Sequence, residues 1–428
     1  MKFSLYLRFS LLMFLEYAVL GAWMAVLPVY LQASTAAGGL GFEAYQVGRV
    51  IGLAGAIGAI TAPLVAGQAA DRHFRTEWYM AFLLTASGLL KWYASYQTSY
   101  VEWLCLSVAF SIVYVPTLSL ANSIVFHHVE DGERHFPSIR VWGTIGFIAA
   151  MWTFPWIYLE RNLEFQWLPP FLAGEQVENA TAQLGRCLEF SGMISLVFAG
   201  FCLLLPKTLP TRDAAQKFAF LKALALFKKP SFAILWLITL PIIILHTIYW
   251  IHGGPFLKFL GIEDSDIAPA MSIGPIAEIL FMAALGLVLK RFGARWVISV
   301  GCLSYGLRFI FFGMHETLPV PFLLATQALH GVGVAAFVAG AFIYADRVAD
   351  ADVRHSVQAL LALSIFGVAP TLAGELYPVF TDWSKDAAGE LNHAHFWYIM
   401  AAIGLVSTVV FALLFRHETR SEPPTGAC

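Results

Sequence analysis

The sequence predicts an all-α membrane protein of twelve transmembrane helices, arranged as two six-helix halves. The first observation is composition: 59% of the 428 residues are hydrophobic and only 13% are charged, whereas a soluble domain is about 45–50% apolar and about 25% charged. The second is a series of apolar runs of about 20 residues, the length that a helix needs to cross a bilayer. The third is a basic segment, 207–231, that divides these runs six and six. Helices are expected because they satisfy their own backbone hydrogen bonds in lipid.

The first apolar run is too long for the core of a signal peptide, which is about 7–15 residues, so we expect it to remain as a span. The predicted spans are 5–31, 45–70, 77–97, 101–127, 137–158, 187–206, 232–259, 267–290, 295–314, 319–346, 354–378 and 394–416. The predicted organisation is a first half over 1–206, a cytoplasmic linker over 207–231, a second half over 232–416 and a cytoplasmic tail over 417–428.

Lysine and arginine set the predicted orientation. With the N-terminus inside, the inner loops and termini carry 18 of the 26 basic side chains, and the outer loops carry four. The outer loops are acidic instead. An excess of basic residues on the cytoplasmic side is typical of membrane proteins, so both termini are predicted to be cytoplasmic.

The two halves carry related segments at the same predicted inner position. "GQAADRHF" begins at Gly67 after the second span, and "GLVLKRFG" begins at Gly286 after the eighth. Two related halves with a substrate site between them are the arrangement of secondary transporters. The first segment resembles the Gly-x-x-x-Asp-Arg motif of the major facilitator superfamily, in which Gly67 allows close packing and Asp71 and Arg72 latch one conformation. The alternative is a solvated turn.

Charged side chains inside predicted spans indicate function, because a charge at membrane depth costs at least about 2.5–3.5 kcal/mol and needs a cavity or a partner. The candidates are Glu16, Lys91, Arg140, Glu278, Arg308 and Glu375, together with His246, His252 and His330.

Arg140, Thr144 and Phe147 are spaced i, i+4, i+7 and therefore share one face of the fifth span. A guanidinium fork, a hydroxyl and an aromatic ring in one line fit a polar solute that contains a ring. Pro137 is expected in the first helical turn. The alternative for Arg140 is a structural arginine that caps neighbouring helix ends near the cytoplasm.

Two carboxylates are candidates for proton coupling. Glu278 lies in the middle of the eighth span, three residues after a Pro275 that is expected to bend the helix. Its alternative role is a static ion pair with Arg308 or Lys91. Glu16 lies mid-span in the first helix, and its alternative role is a buried, hydrogen-bonded acid. The Gly-Gly-Pro segment 253–255 of the seventh span is predicted to break the helix and act as a gate.

Three strings, "YVPTLSLANSI" (114–124), "FPSIRVWGTIGF" (136–147) and "ALFKKP" (225–230), resemble the nucleoside–proton symporter family of the major facilitator superfamily. The resemblance implies that Arg140, Thr144 and Phe147 line a nucleoside site, that Glu278 is the binding or coupling acid, and that Asn122 is the family's span-four asparagine.

The second half departs from the family pattern. His246, Thr247 and Trp250 stand where the family places Gln and Asn, Pro275 replaces a Gln, and Ala335 stands near an expected Asp. The groups that read the base and ribose have therefore changed, and Glu16 is a candidate replacement for the lost carboxylate.

The expected function is import of a nucleoside with a proton by alternating access, in a bacterial inner membrane. Alternatives are another sugar-like or ring-bearing metabolite, or a facilitator without proton coupling. An enzyme is not expected, since no nucleophile or metal motif occurs, and a sensor would need a signalling domain beyond the short tail. The expected partners are the solute, a proton and lipid, with no cofactor, metal or nucleic acid, and the expected state is a monomer.

Overall fold

The computed structural model describes residues 3–65, 75–129, 132–162, 164–166, 171–172, 174–208, 227–349 and 354–415. These residues form helices and no β-strand, apart from three isolated bridges. The prediction of an all-α fold is confirmed.

The helices follow the predicted order, and each span takes the number of the run that predicted it. In the first half they are Phe3–Gly21 and Leu27–Gln32 (span 1), Ala44–Gly48, Arg49–Leu53 and Ala54–Val65 (span 2), Thr76–Ala94 (span 3), Tyr100–His128 (span 4), Gly132–Tyr158 (span 5) and Cys187–Cys202 (span 6). In the second half they are Pro230–Phe259 (span 7), Asp264–Gly313 (spans 8 and 9), Val320–Ala325, Ala328–Gly333, Val334–Ala339 and Gly340–Val348 (span 10), Arg354–Leu363, Ser364–Val368 and Ala369–Trp383 (span 11) and His393–Leu414 (span 12).

Helix Asp264–Gly313 contains two spans. Its 50 residues would extend about 75 Å at 1.5 Å per residue, more than twice the roughly 30 Å hydrocarbon core. Gly293 has a φ of 76° and interrupts the helical backbone, a conformation that glycine adopts without strain. The chain therefore turns at Gly293, within the connection that the sequence predicted at 291–294.

Eight helices in the described ranges are long and apolar enough to cross a membrane, counting the double helix once. Large apolar side chains such as Leu280, Leu287 and Leu413 are 69%, 76% and 68% exposed. Water would not favour such a surface, so it fits a protein that is surrounded by lipid.

Spans 1 and 5 pack closely because two glycines remove side chains from their contact. A Cβ at Gly21 would lie 2.2 Å from the Phe147 carbonyl oxygen, and a Cβ at Gly146 would lie 2.0 Å from the Phe14 carbonyl oxygen. Small residues are the usual means of close helix approach in membranes. This contact places the site residues of span 5 against span 1.

Two expectations about proline were wrong. Pro137 lies in the second turn of its helix and not in the first, and the 253–255 segment lies inside a continuous helix and does not break it. Pro275 also lies inside a continuous helix, and the bend expected there and the gate at 253–255 stay predictions. Membrane helices accommodate proline because neighbouring groups satisfy the freed carbonyls. Gly254 has a packing role, since a Cβ there would lie 2.7 Å from the Ala25 carbonyl oxygen.

The described polar contacts between the two predicted halves all lie toward the side that the sequence assigns to the outside. Arg49 pairs with Glu375 at 2.8 Å. Tyr377 donates to Gln32 Oε1 at 3.0 Å, and Gln32 Nε2 donates to the Ile251 carbonyl at 3.2 Å. The remaining contacts are Trp152 to Ser272, the Leu172 amide to Asp266, and Thr181 to both Lys258 and Asp264. These contacts close the outer side.

Candidate substrate site

Arg140 on span 5 is the centre of the candidate site. Its guanidinium carbon lies 4.0 Å from the centroid of the Tyr17 ring on span 1, where the negative face of the ring attracts a cation. The side chain is half-buried, and no carboxylate in the described ranges forms an ion pair with it. Tyr17 therefore positions Arg140 without neutralising it.

Tyr17 is a site residue that sequence reasoning missed. Its ring packs beside Gly143, where a Cβ would come within 2.7 Å of the ring carbon Cδ2. The glycines at 143 and 146 are the one signal in the sequence that could have pointed to a close helix contact here, since small residues let helices approach. Nothing in the sequence identified which aromatic side chain fills the space.

Arg140 lies within electrostatic range of two carboxylates, Glu16 and Glu278. Glu16 has no exposed surface. Its Oε1 accepts a hydrogen bond from Thr117 Oγ1 at 2.7 Å, and its backbone carbonyl accepts one from the Tyr114 hydroxyl. Glu16 Oε2 has no hydrogen-bond partner in the described part of the chain. Glu16 is thus enclosed between spans 1 and 4.

Glu278 is half-buried, in contrast to Glu16. Span 10 runs close to its backbone, since a Cβ at Gly331 would lie 2.3 Å from the Glu278 amide nitrogen. Within the described residues Glu278 forms no ion pair. The alternative of a static pair with Arg308 or Lys91 is therefore wrong for this conformation.

The other candidate charges have different environments. Glu375 pairs with Arg49 at the outer side. Lys91 is 5% exposed, and its Nζ lies 3.8 Å from the Trp23 ring centroid and 4.1 Å from that of Phe110. These aromatic faces stabilise the buried ammonium.

An aromatic contact joins the two predicted halves. Phe147 on span 5 meets Trp250 on span 7 edge to face, with ring centroids 5.7 Å apart. Trp250 Nε1 donates to His246 Nε2 at 3.2 Å, and His246 Nδ1 lies 3.1 Å from the Tyr305 hydroxyl. Because His246 Nε2 accepts, its proton is assigned to Nδ1, which donates to Tyr305. The structure thus brings Phe147, Trp250 and His246 into one wall.

The remaining predicted residues differ in how accessible they are. Thr144 and Asn122 are half-buried. Thr247 is 8% exposed, and its hydroxyl donates to the Ile243 carbonyl at 2.9 Å. Its hydroxyl proton is therefore not available for a hydrogen bond to a solute. Of the predicted latch, Gly67, Asp71 and Arg72 lie outside the described residues.

The model of the family described as Nucleoside H+ symporter matches residues 1–420. The chain belongs to the nucleoside H+ symporter family. It is therefore a proton-coupled nucleoside transporter, a multi-pass membrane protein and not an enzyme.

Similar proteins cover almost the whole chain. YegT of Escherichia coli (strain K12), a transporter to which a nucleoside substrate is provisionally assigned, is 29% identical over 96% of this chain and 94% of its own. The xanthosine permease of the same organism is 27% identical over 97% of both chains. The crystal structure of the nucleoside transporter NupG superimposes with a TM-score of 0.79 at 23% identity, covering 97% of this chain and all of that one.

One departure from the expected family pattern lies in span 10. Ala335 is 1% exposed and belongs to the Val334–Ala339 turn, and this chain has no acid at that position. Glu16 and Glu278 lie within electrostatic range of Arg140. That Glu16 replaces the absent acid stays a prediction.

Proposed function

We propose that Arg140, Thr144, Phe147, Trp250 and Glu278 form the nucleoside site of this symporter. The observation that carries the proposal is the state of Arg140: it is half-buried, fixed against Tyr17, attracted by two carboxylates and paired with neither. A guanidinium edge without an acceptor among the described residues is available to a polar solute, and its planar fork suits adjacent oxygen or nitrogen acceptors.

Each residue has a defined part in this proposal. Arg140 and Thr144 form hydrogen bonds with the solute, and the Phe147 and Trp250 rings form an aromatic wall for its base. Asn122 contributes from the same half, while His246 acts by orienting Trp250. Thr247 is a weaker candidate than the sequence suggested, because its hydroxyl proton is already donated.

The coupling acid in this proposal is Glu278 rather than Glu16. Glu278 is only partly buried and can exchange a proton with its surroundings, whereas Glu16 has no exposed surface and is held by Thr117. A proton on Glu278 cancels its charge opposite Arg140. Protonated and unprotonated carriers therefore differ in the attraction between span 5 and span 8, which belong to different predicted halves. That difference can bias alternating access.

The closed outer contacts support assignment of this conformation to the inward-facing side of the cycle. Uptake from outside would then require Arg49–Glu375 and Gln32–Tyr377 to separate.

We also propose that the halves span 1–206 and 232–416 and that Asp71 and Arg72 latch the opposite side. Both termini would be cytoplasmic in a bacterial inner membrane, and the carrier would work as a monomer in lipid.

The test of this proposal compares two kinds of transport in proteoliposomes. Glu278→Gln keeps the shape of the protonated side chain but cannot ionise. Nucleoside counterflow should therefore persist, while accumulation driven by the proton gradient should be lost. Glu16→Gln is the matched control and should keep both. Accumulation by Glu278→Gln under an inward proton gradient would refute Glu278 as the coupling acid. Loss of accumulation only in Glu16→Gln would transfer that role to Glu16.

A further inference from the structure

Arg308 on span 9 is a buried charge without a counter-charge among the residues that the structure describes. It has no exposed surface, and its Nε, Nη1 and Nη2 atoms have no hydrogen-bond partner in the ranges the structure describes. None of the ion pairs found in those ranges includes it. A buried ion that is neither paired nor hydrogen-bonded is strongly unfavourable, so its environment must supply compensation.

Aromatic rings supply part of that compensation. The guanidinium carbon lies 3.9 Å from the ring centroid of Tyr249, 4.8 Å from that of Phe309 and 5.6 Å from that of Tyr305. Ring faces attract a cation, but they do not satisfy five N–H groups that point outward in the guanidinium plane. The hydrogen-bonding edge of Arg308 therefore remains unsatisfied.

Two further unsatisfied nitrogens adjoin the same tyrosine. The Tyr249 hydroxyl donates to Gln327 Oε1 at 2.7 Å, which leaves Gln327 Nε2 without a partner in the described chain. The His330 ring lies 4.9 Å from the Tyr249 ring, and His330 Nδ1 is also without a partner there. Gln327 is 0% and His330 2% exposed. We call Arg308, Tyr249, Gln327 and His330 the Arg308 cluster.

We propose that the Arg308 cluster binds a small monovalent anion of the size of chloride. Its unsatisfied atoms are nitrogens with donor capacity, and no carboxylate in the described ranges forms an ion pair with Arg308. A water molecule would accept hydrogen bonds without neutralising that charge, whereas a halide does both. The ion must be small because Arg308 and Gln327 have no exposed surface.

The anion site lies directly behind the aromatic wall of the substrate site. His246, which accepts from Trp250, stacks on His330 with centroids 4.9 Å apart. An ion at Arg308 would therefore stabilise the positions of His246 and Trp250, which are the span 7 members of the aromatic wall. This proposal does not depend on the roles of Arg140 or Glu278. Its ligand is a free halide.

The first experiment measures thermal unfolding of the purified full-length carrier at constant ionic strength, with chloride or bromide replacing gluconate. Binding to the folded state raises Tm, so we expect a saturable increase of roughly 2–4 °C in halide and none in gluconate. Arg308→Gln should abolish the halide dependence. Lys91→Gln is the matched control, because Lys91 is also a buried cation over aromatic rings, and it should keep the dependence.

The second experiment locates the ion by the anomalous scattering of bromide in crystals of the wild-type carrier. A peak within hydrogen-bond distance of the Arg308 guanidinium supports the site. If Arg308→Gln fails to fold, Gln327→Leu provides the second variant, which removes one donor and keeps the charge. It should raise the halide concentration for half-maximal stabilisation about tenfold.

Three outcomes would overturn the proposal. Equal Tm values in halide and gluconate without a bromide peak would do so. So would a halide effect that is unchanged in both Arg308→Gln and Gln327→Leu. Stabilisation in gluconate by a nucleoside with an ionised base, lost in Arg308→Gln, would show that the cluster takes an ionised group of the solute and not a free halide.

Discussion

Replacing Arg140 by alanine tests the substrate site most directly. The change removes the donor fork that Tyr17 positions, and it leaves the contact between spans 1 and 5 intact because Gly21 and Gly146 form that contact. We expect the variant to fold and insert normally but to bind nucleoside weakly.

The expected loss follows from the environment of Arg140. A hydrogen bond to a charged group contributes about 1.5–3 kcal/mol, so losing one such bond to the solute weakens binding roughly 10- to 150-fold. Losing two such hydrogen bonds would multiply the two factors by which the affinity falls. The cation–π contact with Tyr17 contributes only about 0.5–1 kcal/mol to folding at a partly exposed position. Affinity should therefore fall much more than stability.

The assay is a binding titration of the purified carrier with nucleosides, beside a thermal unfolding curve. Arg140→Lys should also bind weakly, because an ammonium keeps the charge but lacks the planar fork. Arg186→Ala is the control: Arg186 is an outer-side arginine whose Nε lies 3.2 Å from Glu189 Oε2, and its loss should leave affinity unchanged.

Two results would refute the reasoning. Wild-type affinity in Arg140→Ala would show that the arginine is structural, as the alternative from the sequence held. Equal losses in Arg140→Ala and Arg186→Ala would show that the assay reports a general effect on the protein. A fall in Tm as large as that caused by truncating a buried core side chain would likewise show that Arg140 mainly stabilises the fold.

Three other predictions concern packing, the outer contacts and topology. Gly21→Ala should lower the free energy of unfolding by about 1–3 kcal/mol, because the added methyl group meets the backbone of span 5. Gly55→Ala is the control and should not lower it, because a Cβ at Gly55 would have nothing within 4 Å. Equal Tm values for the two variants would contradict the packing argument. Cysteines at Gln32 and Tyr377 should be joined by a bifunctional thiosulfonate reagent, which spans the space left by the two long side chains that now meet at 3.0 Å, and the joined carrier should not take up solute until reductant is added. Unimpaired uptake by the crosslinked carrier would show that this contact need not open. A reporter fused after Cys428 should report a cytoplasmic position, and activity confined to the periplasm would overturn the predicted orientation.

The sequence alone determined the membrane class, the order of the helices and the common face of Arg140, Thr144 and Phe147. These features depend on hydrophobicity and on the 3.6-residue period, which act over distances of a few residues. The strings around Asn122 and Arg140 also carried the family resemblance. Proline was predicted less well, because whether a helix continues through a proline, as it does at Pro255, depends on the helices that surround it.

Only the tertiary structure decided which distant side chains meet. It placed Tyr17 under Arg140, enclosed Glu16 against Thr117 and left Arg308 without an acidic partner in the described part of the chain. Each of these outcomes depends on packing between spans that lie far apart in the chain, and periodicity within one helix carries no information about the neighbour that a face meets. The closed outer contacts have the same origin, since Gln32 and Tyr377 are 345 residues apart and meet only because the two halves pack together.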